Sequence, residues 1–136
     1  MNIIVCVDEK KGMLFNKRRQ SKDKLVIKDI IDNLESDLYI NDYSKELFVD
    51  YMDSNKIHVV EEFNFEKDKY YFIENLDVSS YEKNISNIII YNWNRTYPKD
   101  KTFNIDLNNY ELVNTIEFVG NSHDKITKQI YKRVSV

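Results

Sequence analysis

The side chains that could do chemistry are few, and most lie just beyond short apolar runs. Seven basic residues and one acid crowd residues 10–24, KKGMLFNKRRQSKDK. Lys17, Arg18 and Arg19 at its centre could hold a polyanion such as RNA, with Phe15 placed to stack on a base. The competing reading is a solvated loop whose Met13, Leu14 and Phe15 pack on the core. Asp23, at the end of this run, stands at the head of an apolar-periodic segment. There its charge complements a helix macrodipole. Cys6 lies inside an apolar run with no His or basic neighbour, so it reads as a small apolar filler rather than a nucleophile. His58 falls within a strand-like stretch and His123 follows Gly120-Asn121-Ser122 in a loop; two distant histidines make no zinc motif. Trp93, Arg95 and Tyr97 fit either an interface patch or packing beneath a long turn.

These residues have to be positioned by the elements around them. Asn2–Val7 is a continuous Ile/Val-rich run that suits a strand buried on both faces. Residues 8–21 are polar, carry Gly12 and read as a loop. Ser21 is placed to cap a helix over residues 22–36, with Leu25, Ile27, Ile30, Ile31 and Leu34 at helical spacing. Leu38–Ile40 is a strand, and Asn41 or Asp42 caps a second helix carrying Leu47, Phe48 and Tyr51. Ile57–Val60 is a third strand, residues 61–68 an acidic turn, and Tyr70–Ile73 a fourth strand. Residues 76–83 make two helical turns before a fifth strand, Ile88–Tyr91. Beyond Asn92 the text is aromatic and turn-rich, with a strand at Tyr110–Val113. Residues 126–134 fit a helix by Ile126, Ile130 and Val134, and a strand by the alternation of Ile126, Lys128, Ile130 and Lys132. The β-α-β-α-β-β-α-β order argues for a mainly parallel sheet with helices on its faces.

Bulk properties narrow the function classes. A chain of 136 residues fits one domain and buries enough surface to fold without a disulfide or metal staple. The net charge of −3 gives no global field for nucleic acid. One cysteine permits no internal disulfide, which points to a reducing, cytoplasmic compartment. No apolar run approaches the roughly 20 residues of a membrane helix, and the N-terminus has no signal-peptide pattern. Two glycines and one proline leave little material for glycine-built phosphate loops.

Read in order, the segments resemble dihydrofolate reductase. Ile3-Ile4-Val5-Cys6-Val7-Asp8 followed by Gly12 is similar to the family's I-V-A-V-D-x-x-x-G start. Leu38-Tyr39-Ile40-Asn41-Asp42-Tyr43-Ser44 lies where the family has V-I-M-G-R-x-T, and Tyr71-Phe72-Ile73-Glu74-Asn75 where it has F-V-I-G-G, with Tyr81 matching the Tyr of the next helix. Thr102-Phe103 stands for G-D-T-x-F-P, Asp106-Leu107-Asn108-Asn109 for the acidic turn, Tyr110-Glu111-Leu112-Val113 for W-x-L-V, and Ile130-Tyr131-Lys132-Arg133 for the closing F-x-x-Y-x-R strand. The likeness covers most of the chain. Between Val60 and Tyr70 the chain is shorter than the family, as though one strand and one helix were missing.

The resemblance implies a single dihydrofolate-reductase-like α/β domain over residues 1–136: a central, mostly parallel sheet flanked by helices, with an antiparallel C-terminal hairpin. It also implies an NADPH site, and there the sequence departs. Glu74-Asn75 replaces the glycine pair that lets the backbone approach the pyrophosphate, setting a carboxylate against an anion. Asn41, Asp42 and Ser44 replace a glycine, a basic phosphate-binding residue and a capping threonine, so only the cap survives. No cofactor is therefore expected; NADPH belongs to an alternative reading in which the chain is a diverged reductase of a pteridine-like substrate.

On the substrate side, Asp23 is the counterpart of the family's buried carboxylate, in a cleft expected beside Val5, Cys6, Met13 and Tyr91. Arg19-Gln20-Ser21 replaces an L-P-W wall, and Tyr91 replaces a threonine that supports the carboxylate. The expected function is a non-catalytic binding or interaction module whose partner is a small molecule or a protein, not a membrane. A polyanion binder acting through residues 10–24 is the third reading. The histidine- and aspartate-rich two-metal signature of ribonuclease Z has no counterpart in a chain with two histidines.

Overall fold

The computed structural model describes residues 1–134. Strand β1 (Asn2–Val7) occupies the centre of a seven-stranded sheet. Its residues are buried on both faces, which is why the run is continuously apolar instead of alternating. Two short strands follow, β2 (Gly12–Phe15) and β3 (Arg18–Arg19). Then come helix α1 (Lys24–Asp32), β4 (Leu38–Asn41), β5 (Ile57–Val60) and β6 (Tyr70–Phe72). The chain continues through β7 (Asn87–Asn92), β8 (Lys101–Thr102), β9 (Tyr110–Phe118) and β10 (Ile126–Arg133). The large sheet runs β5-β4-β6-β1-β7-β10-β9. Its first five strands are parallel, and β10 pairs antiparallel with both β7 and β9. The expected parallel sheet with an antiparallel C-terminal hairpin is what the chain forms.

Alternate residues of the strands feed two cores. Ile3, Val5 and Val7 join Tyr71, Ile88, Ile90 and Phe103 on one face, while Ile4, Phe72 and Tyr91 meet Val26, Ile27 and Ile30 of α1 on the other. Each such side chain contributes on the order of 1.5–3 kcal/mol of apolar burial.

Several local expectations are corrected. Residues 8–21 are not a plain loop: β2 and β3 form a ribbon with β8, turning through Asn16 and Lys17, which both have positive φ. The helix expected over residues 22–36 runs only from Lys24 to Asp32, and its N-cap is Asp23, not Ser21. A carboxylate that accepts from the Leu25 N–H ends the extended backbone two residues later than a serine cap would. Leu25 is exposed, and Val26 takes the buried position. The second helix is a 3-10 helix, Asp42–Tyr51, capped by Asn41, and the third shrinks to a 3-10 segment, Ser79–Asn84. Strand β9 is twice the expected length, and β10 resolves the helix-or-strand alternative as strand. Eight residues pair it to β9, so tertiary hydrogen bonding settles what periodicity left open. Residues 61–69 connect β5 to β6 through turns, without helix or strand.

Candidate functional site

Three buried carboxylates lie near the C-terminal ends of the central parallel strands, the end at which open α/β sheets bind ligands. Each is engaged by the protein's own donors. Asp8, following β1, accepts from the Lys10 and Gly12 N–H groups at 2.9 and 2.8 Å and from the Tyr97 N–H at 3.0 Å. Burial alone would raise its pKa, but these N–H groups and Gln20 hold it below the ordinary carboxylate value. It ties the end of β1 to the ribbon and to the turn after β7.

Glu74, following β6, is the second. Arg19 approaches it with two nitrogens, Nε to Oε2 at 2.9 Å and Nη2 to Oε1 at 3.0 Å, and the Ser44 hydroxyl donates to Oε1 at 2.7 Å. Arg19 also donates to the Tyr43 carbonyl and to Glu46, and its guanidinium lies over the Tyr43 ring. Burial would lower the pKa of Arg19, but its bonds to Glu74 and Glu46 raise it further above its ordinary value. Beside this pair, Asn41 Nδ2 donates to Asn75 Oδ1 at 2.8 Å. The fold thus brings together Asn41, Ser44, Glu74 and Asn75, the positions that the resemblance assigned to the cofactor motifs. Asp42 lies next to them and is exposed.

Asp23 is the third and the most thoroughly bound. Its side chain accepts from the N–H groups of Leu25, Asn121 and Ser122 at 2.9, 2.8 and 2.7 Å, and its Oδ2 lies 2.9 Å from His123 Nδ1. The His123 ring stacks on Trp93 at 4.6 Å, and its Nε2 lies 2.8 Å from Ser21 Oγ. Burial pushes the Asp23 carboxyl up, but the His123 bond and the three backbone N–H groups pull it below the usual range. Gly120 makes this approach feasible, because a Cβ there would collide with Asp23 Oδ2 and come within 2.6 Å of Ile126 Cδ1. Gly120→Ala is expected to cost about 2 kcal/mol through overpacking, read as a lowered midpoint in thermal denaturation. An unchanged midpoint would mean that the 120–123 turn is free to shift.

Two spaces border Asp23: an open groove of about 220 Å³ shared with Ile27, Leu47, Asn121 and Ser122, and a far narrower one. Cys6, Ser21, Asp23, Phe72, Glu74 and Trp93 are among the residues enclosing a cavity of about 10 Å³, room for no more than one water. Of the residues expected to border a ligand cleft, Cys6 faces this cavity, and burial pushes its thiol pKa well above the ordinary value. Val5 and Met13 lie in the core on the opposite face of the sheet. Tyr91 is also core: its hydroxyl donates to Asp29 Oδ2 at 2.5 Å, and Lys128 reaches the same oxygen at 2.8 Å. Trp93 is buried as well, so the sequence reading that put it under the turn is the one the fold adopts.

The basic stretch divides. Lys17 and Arg18 sit exposed on the ribbon, while Arg19 turns inward to Glu74. Beside them a surface cavity of about 440 Å³ is lined by Lys17, Arg18, Ser21, Lys22 and Tyr43, among others. Phe15 and Arg18 border a second one, of about 600 Å³, with Tyr97 and Pro98. Among the described residues no group of three or more His, Cys, Asp or Glu side chains could hold a metal ion. Among the described residues no helix is long and apolar enough to cross a membrane. Sequence reasoning missed His123 and the pairing of Arg19 with Glu74. Fifty-five residues separate the members of that pair and 100 separate His123 from Asp23, so no local spacing could have signalled either.

No protein-family model and no curated protein sequence matches the chain. Among solved structures it is similar to the dihydrofolate reductase from Enterococcus faecalis complexed with NADP(H) and RAB-propyl. That likeness has a TM-score of 0.70, spans 98% of this chain and 96% of that one, and comes with 11% sequence identity. The fold is dihydrofolate-reductase-like.

Proposed function

We propose that this protein keeps the reductase scaffold but has given up nicotinamide-dependent reduction, and that it works as a binding module. The observation that carries this reading is the state of the β6 end. Where the reductase motif has two glycines, the Glu74 carboxylate lies against Arg19 and Ser44, and the Asn41–Asn75 hydrogen bond runs beside it. These residues do not fit a pyrophosphate. The ligand would have to displace an internal anion from its arginine, and Asp42 adds a charge of the wrong sign nearby. On the substrate side, the cavity that Asp23 shares with Cys6 and Trp93 is about 10 Å³, and the groove of about 220 Å³ on its other side falls short of the roughly 300 Å³ of a small ligand pocket. The larger basic cavity near Lys17, Arg18 and Lys22 is the place for a small anionic ligand.

A thermal-shift titration tests the reading. Ligand at 100 times its Kd stabilises a protein by about 2.7 kcal/mol. NADPH up to millimolar concentration is expected to produce no saturable rise in Tm, and dihydrofolate with NADPH no absorbance loss above the enzyme-free rate. Saturable stabilisation together with turnover would overturn the proposal.

A further inference from the structure

Ser21, His123 and Asp23 form a line that the loss of nicotinamide chemistry leaves unexplained. Ser21 Oγ is 2.8 Å from His123 Nε2, and His123 Nδ1 is 2.9 Å from Asp23 Oδ2. We propose that Ser21 is an acylatable nucleophile with His123 as its general base, and that the site hydrolyses small esters carrying an anionic group. This goes beyond the binding-module reading and rests on different residues.

The roles follow from hydrogen-bond accounting. An ionised Asp23 can only accept, so in the neutral imidazole the hydrogen sits on Nδ1 and Nε2 is left as an acceptor. The Ser21 hydroxyl then donates to Nε2, the arrangement in which a base can take the proton of an attacking oxygen. Asp23 is the positioning residue. Held by three backbone N–H groups, it fixes the tautomer, while Trp93 fixes the ring plane.

Access follows from burial. His123 and Asp23 are buried, whereas Ser21 is half-exposed at the rim. On its inner side lies the cavity of about 10 Å³, and on its outer side the cavity of about 440 Å³. A substrate therefore reaches Oγ from the side lined by Lys17, Arg18 and Lys22, where the one carboxylate, Glu46, is paired with Arg19, and this favours an anionic group on the acyl chain. In the reaction, Oγ bonds to the ester carbonyl carbon as its proton passes to Nε2. The C–O bond to the alcohol breaks, and the alcohol leaves with that proton. Water then attacks the acyl-serine, giving one proton to Nε2 and on to Oγ, and the free acid departs.

The test treats the full chain with a fluorophosphonate probe and maps the adduct by peptide mass. A single adduct on Ser21 is expected, absent from Ser21→Ala and formed about 100-fold more slowly in His123→Gln. A circular-dichroism spectrum of each variant matching the parent separates lost chemistry from lost folding. Should either variant unfold, Ser21→Cys serves instead. Iodoacetamide should then alkylate position 21 while Cys6, half-buried against the narrow inner cavity, stays unmodified. In the unaltered chain, a downfield imidazole proton resonance should report the Nδ1–H to Asp23 bond and vanish in His123→Gln. Mono-p-nitrophenyl succinate should be cleaved with a lower KM than p-nitrophenyl acetate, and Arg18→Ala should erase that difference. No adduct on Ser21, or equal labelling in folded His123→Gln, would overturn the proposal. Either result leaves the NADPH titration untouched.

Discussion

Glu74→Ala is expected to destabilise the fold by about 3 kcal/mol, because it leaves the Arg19 guanidinium buried with only part of its partners. The side chains of Arg19 and Glu74 are 14% and 10% exposed, so solvent screens their attraction little. Glu46 does not compensate, since it is 66% exposed and reaches Arg19 from the solvent side. Ser44 Oγ would lose its acceptor as well. Urea denaturation should show a lower midpoint with the m-value unchanged. The paired variant Arg19→Met/Glu74→Leu should recover most of the loss, since replacing both charges removes the desolvation cost along with the attraction. A single variant costing less than about 1 kcal/mol would mean that the pair behaves as a surface bridge, not as the closure of the β6 end.

The second large effect belongs to Asp23. Asp23→Ala removes the cap of α1 and the shared acceptor of Asn121, Ser122 and His123, for an expected cost of about 4 kcal/mol. The pH dependence has a defined sign. The folded pKa of Asp23 lies below its ordinary value, so its stabilisation is fully present above the unfolded pKa of about 3.9. It is lost as pH falls through the folded pKa, and Asp8 acts in the same direction. Stability measured from pH 6 downward should therefore drop below about pH 5, and the drop should be shallower in Asp23→Asn. An identical acid limb in the variant would show that other carboxylates govern acid unfolding.

Much of the architecture was legible in the chain. The run Ile3-Ile4-Val5 is apolar on consecutive positions because both faces of β1 are covered, and sequence periodicity reports such coverage directly. The chain offered Asn41 or Asp42 as the cap of the 3-10 helix, and Asn41 takes it by accepting from the Ser44 N–H. The ribbon of β2, β3 and β8 was invisible, because β8 is two residues long and exists only through pairing with a strand some 90 positions earlier. The start of α1 was misplaced for a related reason. Both Ser21 and Asp23 are competent caps, and the N–H groups of the distant 121–122 turn select Asp23.

The sequence by itself determined the sheet, its mostly parallel order and the presence of Glu74 and Asn75 beyond β6. Those properties follow from burial and backbone chemistry, which each residue carries with it. Only the tertiary structure decided that Arg19 belongs to Glu74 and not to the basic surface, and that His123 stands between Asp23 and Ser21. Hydrogen bonds between side chains remote in the chain depend on where the strands and loops finally lie. A carboxylate's partners are therefore set by the fold, while its presence is set by the sequence.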